Sequence, residues 1–68
     1  MMIELNGAPA ELPEGASVAE AVAAAGAEAE RRGVAVAVEG EVVPRGEWDA
    51  TSLHEGQAVE VVRAIQGG

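Results

Sequence analysis

The sequence predicts an α+β fold in which a single helix packs on one face of a mixed, four- to five-stranded sheet. Several short stretches alternate apolar and polar residues with the period of a β-strand, and glycine-containing turn signals separate them. Only one stretch repeats its apolar residues with the spacing of an α-helix. A chain of 68 residues has room for one hydrophobic core, so these elements are expected to form one domain.

The chain opens with a predicted β-hairpin. Residues 2–5 alternate between two faces and lead into Asn6-Gly7, which is the strongest two-residue signal for a hairpin turn. Residues 8–12 form the returning strand. Pro9 within this strand has no amide hydrogen to donate to a neighbour, so the strand is expected at an edge of the sheet.

The predicted helix follows a capping box that begins at Ser17. In this motif the Ser17 hydroxyl accepts a hydrogen bond from the Glu20 amide, and the Glu20 carboxylate reaches back to the Ser17 amide. Gly26 is a natural residue for the helix end, because glycine readily takes the left-handed conformation found there. The apolar stripe of this helix is narrow and consists of Val18, Ala21, Val22 and Ala25.

The second half of the chain holds three further predicted strands. Residues 34–38 alternate valine with alanine, and a Glu-Gly turn leads from them into a short strand at residues 41–43. Trp48 is the only aromatic residue of the chain, so it is expected to fold back and fill the core. The last strand is predicted to span residues 58–65.

The order of these elements is strand, strand, helix, strand, short strand, strand, which is typical of a β-grasp or ubiquitin-like fold. In this arrangement the first and last strands are parallel neighbours at the centre of the sheet, in agreement with their continuous apolar character. The β-grasp domain is expected to span residues 1–66, and residues 67–68 are expected to form a flexible Gly-Gly tail.

Composition restricts the possible classes of function. The sequence has no cysteine, which excludes a thiol nucleophile and a thiolate metal site, and it has no lysine. The net charge of −8 argues against nucleic acid or an anionic membrane surface as a partner and favours a basic protein. No apolar run is long enough to span a bilayer, and the first residues lack the basic region of a signal peptide. A soluble, cytoplasmic protein is therefore expected.

The Gly67-Gly68 pair is the strongest candidate for chemistry. A carboxylate on glycine is the least hindered acyl group that a polypeptide offers, because no Cβ stands beside the reacting carbon. Together with Gln66, the two glycines form a tail that can enter a narrow slot in another protein. The pair taken alone is also compatible with a frayed terminus, so the rest of the chain must decide between the two interpretations.

A second group of residues consists of candidates for docking a partner. Val62 and Ala64 are expected on the sheet face away from the helix, where a monomer usually places polar side chains, and they indicate an apolar docking surface. Arg45 and Arg63 are either solvated charges or contacts for the protein that receives the tail. The alanines of the third strand that can extend the same face are Ala35 and Ala37.

Two other possibilities are disfavoured by the pattern. His54 stands beside a turn and is expected to be a solvated surface residue rather than a base or a metal ligand. The carboxylates are too widely spread to predict a metal site or an acid/base pair, and a solvated acidic face accounts for most of them.

Four stretches carry a resemblance to a known family. They are MIELNG at the start, SVAEAV at the helix, VAVAVEGEVVPRGEW in the middle and LHEGQAVEVVRAIQGG at the end. In order and spacing they resemble the ThiS family of sulfur carriers in thiamin biosynthesis, over nearly the whole chain. The most specific parts are Val43-Pro44-Arg45 followed by Trp48, and the terminal glycine pair at a fixed distance after a second Glu-Gly turn.

The resemblance implies a protein substrate rather than an enzyme. In this family the C-terminal carboxylate is adenylated by a ThiF-type adenylyltransferase that uses MgATP, and sulfur from a persulfide donor then displaces AMP. The resulting thiocarboxylate supplies sulfur to the thiazole synthase ThiG. Carried onto this chain, the reacting carbon belongs to Gly68 with Gly67 behind it, and the protein itself binds no cofactor.

Three alternatives to a thiamin sulfur carrier stay open. The small subunit of molybdopterin synthase shares the fold and the Gly-Gly end, but it tends to be longer and to carry an aromatic residue shortly before the tail, where this chain has Ala-Ile-Gln. A ubiquitin-like protein modifier is the second alternative. The third is a β-grasp protein-binding module whose glycine tail is incidental.

Overall fold

The structure, a computed structural model, describes residues 1–26 and 33–63. The bounds of its elements are β1 (Met2–Leu5), β2 (Ala8–Glu11), α1 (Val18–Ala24), β3 (Val34–Val38), β4 (Glu41–Val43), a one-turn 3-10 helix (Arg45–Glu47) and β5 (Ala58–Arg63). The five strands form one mixed sheet in the order β2-β1-β5-β3-β4, and α1 packs on one of its faces. The predicted α+β architecture is therefore confirmed.

Strand β5 lies at the centre of this sheet. It pairs in parallel with β1 on one side and antiparallel with β3 on the other, in a register that runs to Val34↔Arg63. The predicted parallel pairing of the first and last strands is thus confirmed. Strand β2, which contains Pro9, lies at a sheet edge as predicted and ends at Glu11, one residue earlier than expected. Residues 64–65 of the predicted last strand lie outside the described residues.

Both predicted hairpin turns form, and both have positive φ at their two central residues. The φ angles are 52° and 84° at Asn6 and Gly7, and again 52° and 84° at Glu39 and Gly40. Left-handed conformation at both positions is the type I′ geometry, whose twist matches that of the flanking strands. These turns fix the registers of the β1-β2 and β3-β4 hairpins, which together make up both edges of the sheet.

The helix starts where the capping box predicted, but its start is stabilised differently. Ser17 is the N-cap residue, yet its side chain makes no capping hydrogen bond, and the Glu20 amide donates instead to the Ser17 carbonyl at 3.0 Å. The amide of Val18 donates to the carbonyl of Thr51 at 2.9 Å, and that of Ala19 donates to the carbonyl of Trp48 at 3.2 Å. The predicted side-chain cap is therefore wrong, because the Glu20 amide bonds to the Ser17 carbonyl in place of its hydroxyl, and the two preceding amides have acceptors distant in sequence.

The core lies between α1 and one face of the sheet. Trp48 is only 1% exposed, and its Nε1 donates a hydrogen bond to the Val43 carbonyl at 3.0 Å, which confirms the prediction that it fills the core. Aliphatic side chains provide the rest of the buried volume, and the buried residues are Ile3, Leu12, Ala16, Val18, Ala21, Val22, Val34, Val36, Trp48, Leu53, Val59 and Val61. Within residues 1–26 and 33–63, no helix is long and apolar enough to cross a membrane.

The side chain of Asn6 extends the contact between β1 and β5 beyond the point where the chain turns away. Its amide Nδ2 donates to the Val61 carbonyl at 3.3 Å, and its Oδ1 accepts from the Val61 amide at 2.8 Å. The backbone amide of Asn6 donates to the Val59 carbonyl at 2.9 Å. The side chain therefore makes the hydrogen bonds to Val61 that the backbone of a longer β1 would have made.

We expect Asn6→Ala to lower the free energy of unfolding by about 2–3 kcal/mol, because it removes two hydrogen bonds and places alanine in a left-handed conformation. Urea unfolding followed by circular dichroism measures this loss as a lower midpoint with an unchanged slope. Asn6→Gly is the matched control, since glycine adopts a φ of 52° without strain and loses only the side-chain bonds. A midpoint for Asn6→Ala equal to that of the unaltered protein would contradict the role given to this side chain.

Candidate functional site

The described part of β5 ends at Arg63, and the predicted reacting tail begins beyond it. Arg63 pairs with Val34, so β5 is held in the β3-β5 ladder up to its last described residue. Four predicted site residues lie outside the described residues, and they are the docking candidate Ala64, the tail residues Gln66 and Gly67, and the reacting residue Gly68. The described structure therefore includes the strand that leads towards the tail, up to Arg63.

Strand β5 is held at its start as well as along its length. The Glu39 amide donates to the Ala58 carbonyl at 2.8 Å, and the Glu39 carboxylate Oε2 accepts from the Ala58 amide at 2.7 Å. Glu39 thus uses both its backbone and its side chain on the first residue of β5. With the Asn6 contacts to Val61, this arrangement ties β5 to the β3-β4 turn at its start and to the β1-β2 turn further along.

Arg63 is exposed, but its guanidinium has partners on the helix. Its Nη2 donates to the Ala25 carbonyl at 3.2 Å and to the Gly26 carbonyl at 2.9 Å, at the C-terminal end of α1. A cation at this end also interacts favourably with the helix dipole. The structure therefore gives Arg63 a contact within its own molecule, and its predicted part in docking stays a prediction.

The sheet face away from α1 carries an apolar patch, here called the open-face patch, which consists of Val62, Ala35, Ala37 and Val42. Val62 is 59% exposed and pairs directly with Ala35 across β5 and β3. Val42 is 74% exposed and pairs with Ala37 across β4 and β3. Four small apolar side chains on three adjacent strands thus form one surface, as predicted for Val62 and the two alanines.

Val42 was missed in the sequence, although a signal for it was present. In β4 the apolar residues Val42 and Val43 are adjacent, so they must point to opposite faces of the sheet. Val43 is partly buried and packs against the core, which leaves Val42 on the open face. The alternation of a three-residue strand was enough to place it once Val43 was assigned to the core.

Carboxylates lie next to the open-face patch. Glu60 pairs with Ala37, and Glu4 pairs with Ala58, two residues before Glu60 in β5. Both carboxylates therefore share the face of the patch. With Glu39 they line a shallow depression of about 350 Å³. Arg45, in the 3-10 helix, is exposed as predicted for either a solvated charge or a docking contact. The face combines a small apolar centre with an acidic border.

Little of the described part of the chain has the character of a reaction centre. Among residues 1–26 and 33–63, no polar or charged side chain is buried, and no group of three His, Cys, Asp or Glu side chains could hold a metal ion. His54 is exposed, and its backbone amide donates to the Gln57 side chain at 2.7 Å. What the described residues offer chemically is a fixed strand end and an apolar surface.

A single helix on a five-stranded sheet, with parallel β1 and β5 in its interior, defines this chain as a β-grasp protein of the ubiquitin-like class. Comparison with protein families makes the assignment more specific. The model of the ThiS family matches residues 3–68, so the chain belongs to the ThiS family.

Solved structures agree with this assignment. A crystal structure of the thiamine biosynthesis protein ThiS from Geobacter metallireducens is 34% identical, with a TM-score of 0.80 and complete coverage of both chains. A solution NMR structure of a thiamine biosynthesis protein from the same organism is 37% identical, with a TM-score of 0.76, and the match covers 100% of this chain and 88% of the other. A comparison with curated proteins gives no match.

Proposed function

We propose that this protein is a sulfur carrier of thiamin biosynthesis whose C-terminal carboxylate, on Gly68, is converted into a thiocarboxylate. The observation that carries the proposal is that the ThiS family match extends through both glycines to residue 68. The two similar structures, both of thiamine biosynthesis proteins, support the same pathway. The protein is accordingly a cytoplasmic carrier acted on by enzymes, with a β-grasp body at residues 1–66 and a Gly-Gly tail at residues 67–68.

The proposed chemistry needs an activating partner because a carboxylate is a poor electrophile. A ThiF-type adenylyltransferase joins the Gly68 carboxylate to the α-phosphorus of MgATP, and pyrophosphate leaves. The terminal sulfur of a persulfide donor protein then attacks the acyl carbon, and AMP leaves. A second thiol cleaves the resulting S–S bond, which yields the thiocarboxylate and a new disulfide.

The thiocarboxylate is the form that delivers sulfur. In the proposed pathway it passes its sulfur to the thiazole synthase ThiG during thiazole formation, and one oxygen atom from the acceptor or from water takes the place of the sulfur, so the carrier returns with a carboxylate. MgATP is a substrate of the activating partner, and the carrier needs only an unhindered acyl carbon. Gly67 and Gly68 meet this requirement because neither residue has a Cβ.

The open-face patch is the proposed docking surface for the ThiF-type enzyme. Val62 and Val42 are the most exposed large apolar side chains of the described residues, and they lie on the same face as the paired alanines. Exposed apolar patches mark interaction sites, and the acidic border and the net charge of −8 favour a basic rim on the partner. Ala64 and Arg45 are proposed to extend the contact.

We expect Val62→Glu to raise the KM of adenylation at least about tenfold, because a carboxylate would be buried against an apolar partner surface. The free energy of unfolding should change by no more than about 1 kcal/mol, since Val62 is 59% exposed. Ala23→Glu adds the same charge at an exposed position of α1 and serves as the control. An unchanged KM for Val62→Glu, or an equal rise for Ala23→Glu, would remove the patch from the docking surface.

The test of the proposed function is intact-mass spectrometry of the protein after incubation with a ThiF-type enzyme, MgATP and a persulfide donor. The expected product has the mass change of one oxygen replaced by one sulfur, and fragmentation places that change on Gly68. Omission of MgATP should abolish it. Failure to gain sulfur, with enzyme and donor shown to be active on a known carrier, would refute the proposal.

A further inference from the structure

We propose that Arg63 is a positioning residue for the chemistry at Gly68, acting by tying the end of β5 to the end of α1. The inference rests on the proposed function, because it concerns how the body presents the reacting carboxylate to the activating enzyme. It differs from the docking prediction for the same residue. In docking, Arg63 would contact the partner, whereas here its guanidinium contacts its own helix.

The geometry at the helix end supports this role. The last carbonyl groups of a helix have no partner within the helix, and they carry the negative end of its dipole. Arg63 Nη2 lies 3.2 Å from the oxygen of Ala25, the C-cap residue of α1, and 2.9 Å from that of Gly26, which follows it, so one side chain serves two carbonyls directly after the helix. A Cβ added at Gly26 would meet this nitrogen at 3.5 Å, which shows how closely the guanidinium lies against the turn.

The side chain of Arg63 is on the correct face for this contact. Residues 59, 61 and 63 alternate with residues 60 and 62 along β5, and Val59 and Val61 are buried beneath α1. Arg63 therefore leaves the strand on the helix side, opposite to Val62 on the open face. A partner docked on the open-face patch would meet Val62 while Arg63 stays bound to the helix.

The position of Arg63 in the ladder explains why the contact matters. The pair Val34↔Arg63 is the last in the described register, and terminal pairs of a ladder open most readily. Residues 64–68 separate Arg63 from the reacting carbon, and five extended residues reach at most about 17 Å. If the ladder opened back to Val61, the connection to the reacting carbon would lengthen to seven residues. The orientation of its first residue would then no longer be fixed by the sheet.

A longer connection whose first residue is not held in the sheet lowers the probability that the carboxylate reaches MgATP in a docked complex. The effective concentration of a tethered group falls roughly as the −3/2 power of tether length, so two added residues alone lower it by about 1.7-fold. Loss of the fixed orientation at Arg63 lowers the reaction rate further, because reaction requires close alignment of the reacting atoms. The affected quantity is kcat of adenylation, whereas KM depends on docking.

The experiment measures pyrophosphate release by a ThiF-type enzyme with MgATP for the unaltered protein, Arg63→Ala, Arg63→Lys and Thr51→Val. We expect Arg63→Ala to lower kcat about threefold or more while KM changes by less than about twofold. Arg63→Lys should recover part of kcat, since a lysine ammonium can donate to the same carbonyls. Thr51→Val removes another bond from a side chain to a carbonyl, that of Thr51 Oγ1 to Glu47 at 2.7 Å, and should leave kcat unchanged.

Amide hydrogen exchange provides a readout that is independent of the enzyme. In Arg63→Ala the amide of Val62, which faces β3 in the ladder, should exchange faster than in the unaltered protein, while that of Val59 keeps its protection. An unchanged kcat with normal adenylation of the unaltered protein would overturn the inference and leave the proposed function intact. A rise in KM alone would also overturn it and make Arg63 a docking contact. Absence of adenylation of the unaltered protein would overturn both proposals.

Discussion

Replacement of Trp48 by alanine is expected to lower the free energy of unfolding by about 3–5 kcal/mol. The total stability of a domain of 68 residues is only about 3–10 kcal/mol, so this loss removes about a third of it or more. Trp48 is 1% exposed and is the only aromatic residue, so the valine, leucine and alanine side chains around it cannot close the resulting cavity.

The indole nitrogen makes a separate contribution to this expected loss. It donates to the Val43 carbonyl at 3.0 Å and so fixes the end of β4 to the segment after the 3-10 helix. Trp48→Phe retains much of the buried ring and loses this bond, so its expected cost is smaller, about 1–3 kcal/mol. Urea unfolding followed by far-ultraviolet circular dichroism compares the variants, and an alanine variant as stable as the unaltered protein would refute the role of Trp48 in the core.

Deletion of Gly68 is expected to abolish thiocarboxylate formation, with a loss of at least about 100-fold in the adenylation rate. The shortened chain still ends in a glycine carboxylate, that of Gly67, but the acyl carbon now stops about 3.5 Å short of its former reach. Reacting atoms must approach within about 3–3.5 Å, so a shortfall of one residue removes the carboxylate from the reacting position. Binding to the ThiF-type enzyme and the free energy of unfolding should both be retained.

A matched variant distinguishes the effect of tail length from the effect of a side chain on the last residue. Gly68→Ala keeps the length and adds a Cβ beside the reacting carbon, so a defect in this variant reports on the width of the slot. Intact-mass analysis measures sulfur gain in both variants, and a binding assay with the ThiF-type enzyme shows whether docking persists. Full sulfur gain without Gly68 would contradict the proposed function, whereas loss of binding in the deletion variant would indicate that the tail contributes to docking.

The hairpin turns could be predicted from the sequence because their chemistry is local. Asn-Gly and Glu-Gly stand between alternating stretches, and only a few residue types tolerate two successive left-handed positions. The pattern of small and large apolar residues also placed Trp48 in the core and Val62 on the open face. Each of these predictions depends on residues close in sequence or on the simple alternation of a strand.

The start of the helix shows why other features could not be predicted. The Ser17-to-Glu20 pattern correctly located the N-terminus of α1, but the amides of Val18 and Ala19 donate to Thr51 and Trp48 carbonyls in the folded protein. A capping rule based on neighbouring residues has no access to acceptors that are some thirty positions away. Tertiary backbone contacts satisfy the first two amides of α1, and the Glu20 amide bonds to the Ser17 carbonyl in place of its hydroxyl.

The side-chain contacts that hold β5 could not be predicted from the sequence for the same reason. Asn6 is separated from Val61 by 55 residues, and Arg63 is separated from Gly26 by 37. The sequence identified Asn6 as a turn residue, which is confirmed, and Arg63 as either a solvated charge or a docking contact, which stays a prediction. Their bonds to distant backbone groups depend on the arrangement of the whole sheet.

The central position of β5 has a consequence for how the protein is made. Among the described strands β5 is the last along the chain, and both β1 and β3 form their inner pairs with it. The interior of the sheet therefore cannot close until the ribosome has released this strand, and the contacts involved span most of the sequence. The strand that completes the fold is also the one that leads to Gly68, so a chain that ends before β5 lacks the folded body and the reactive end together.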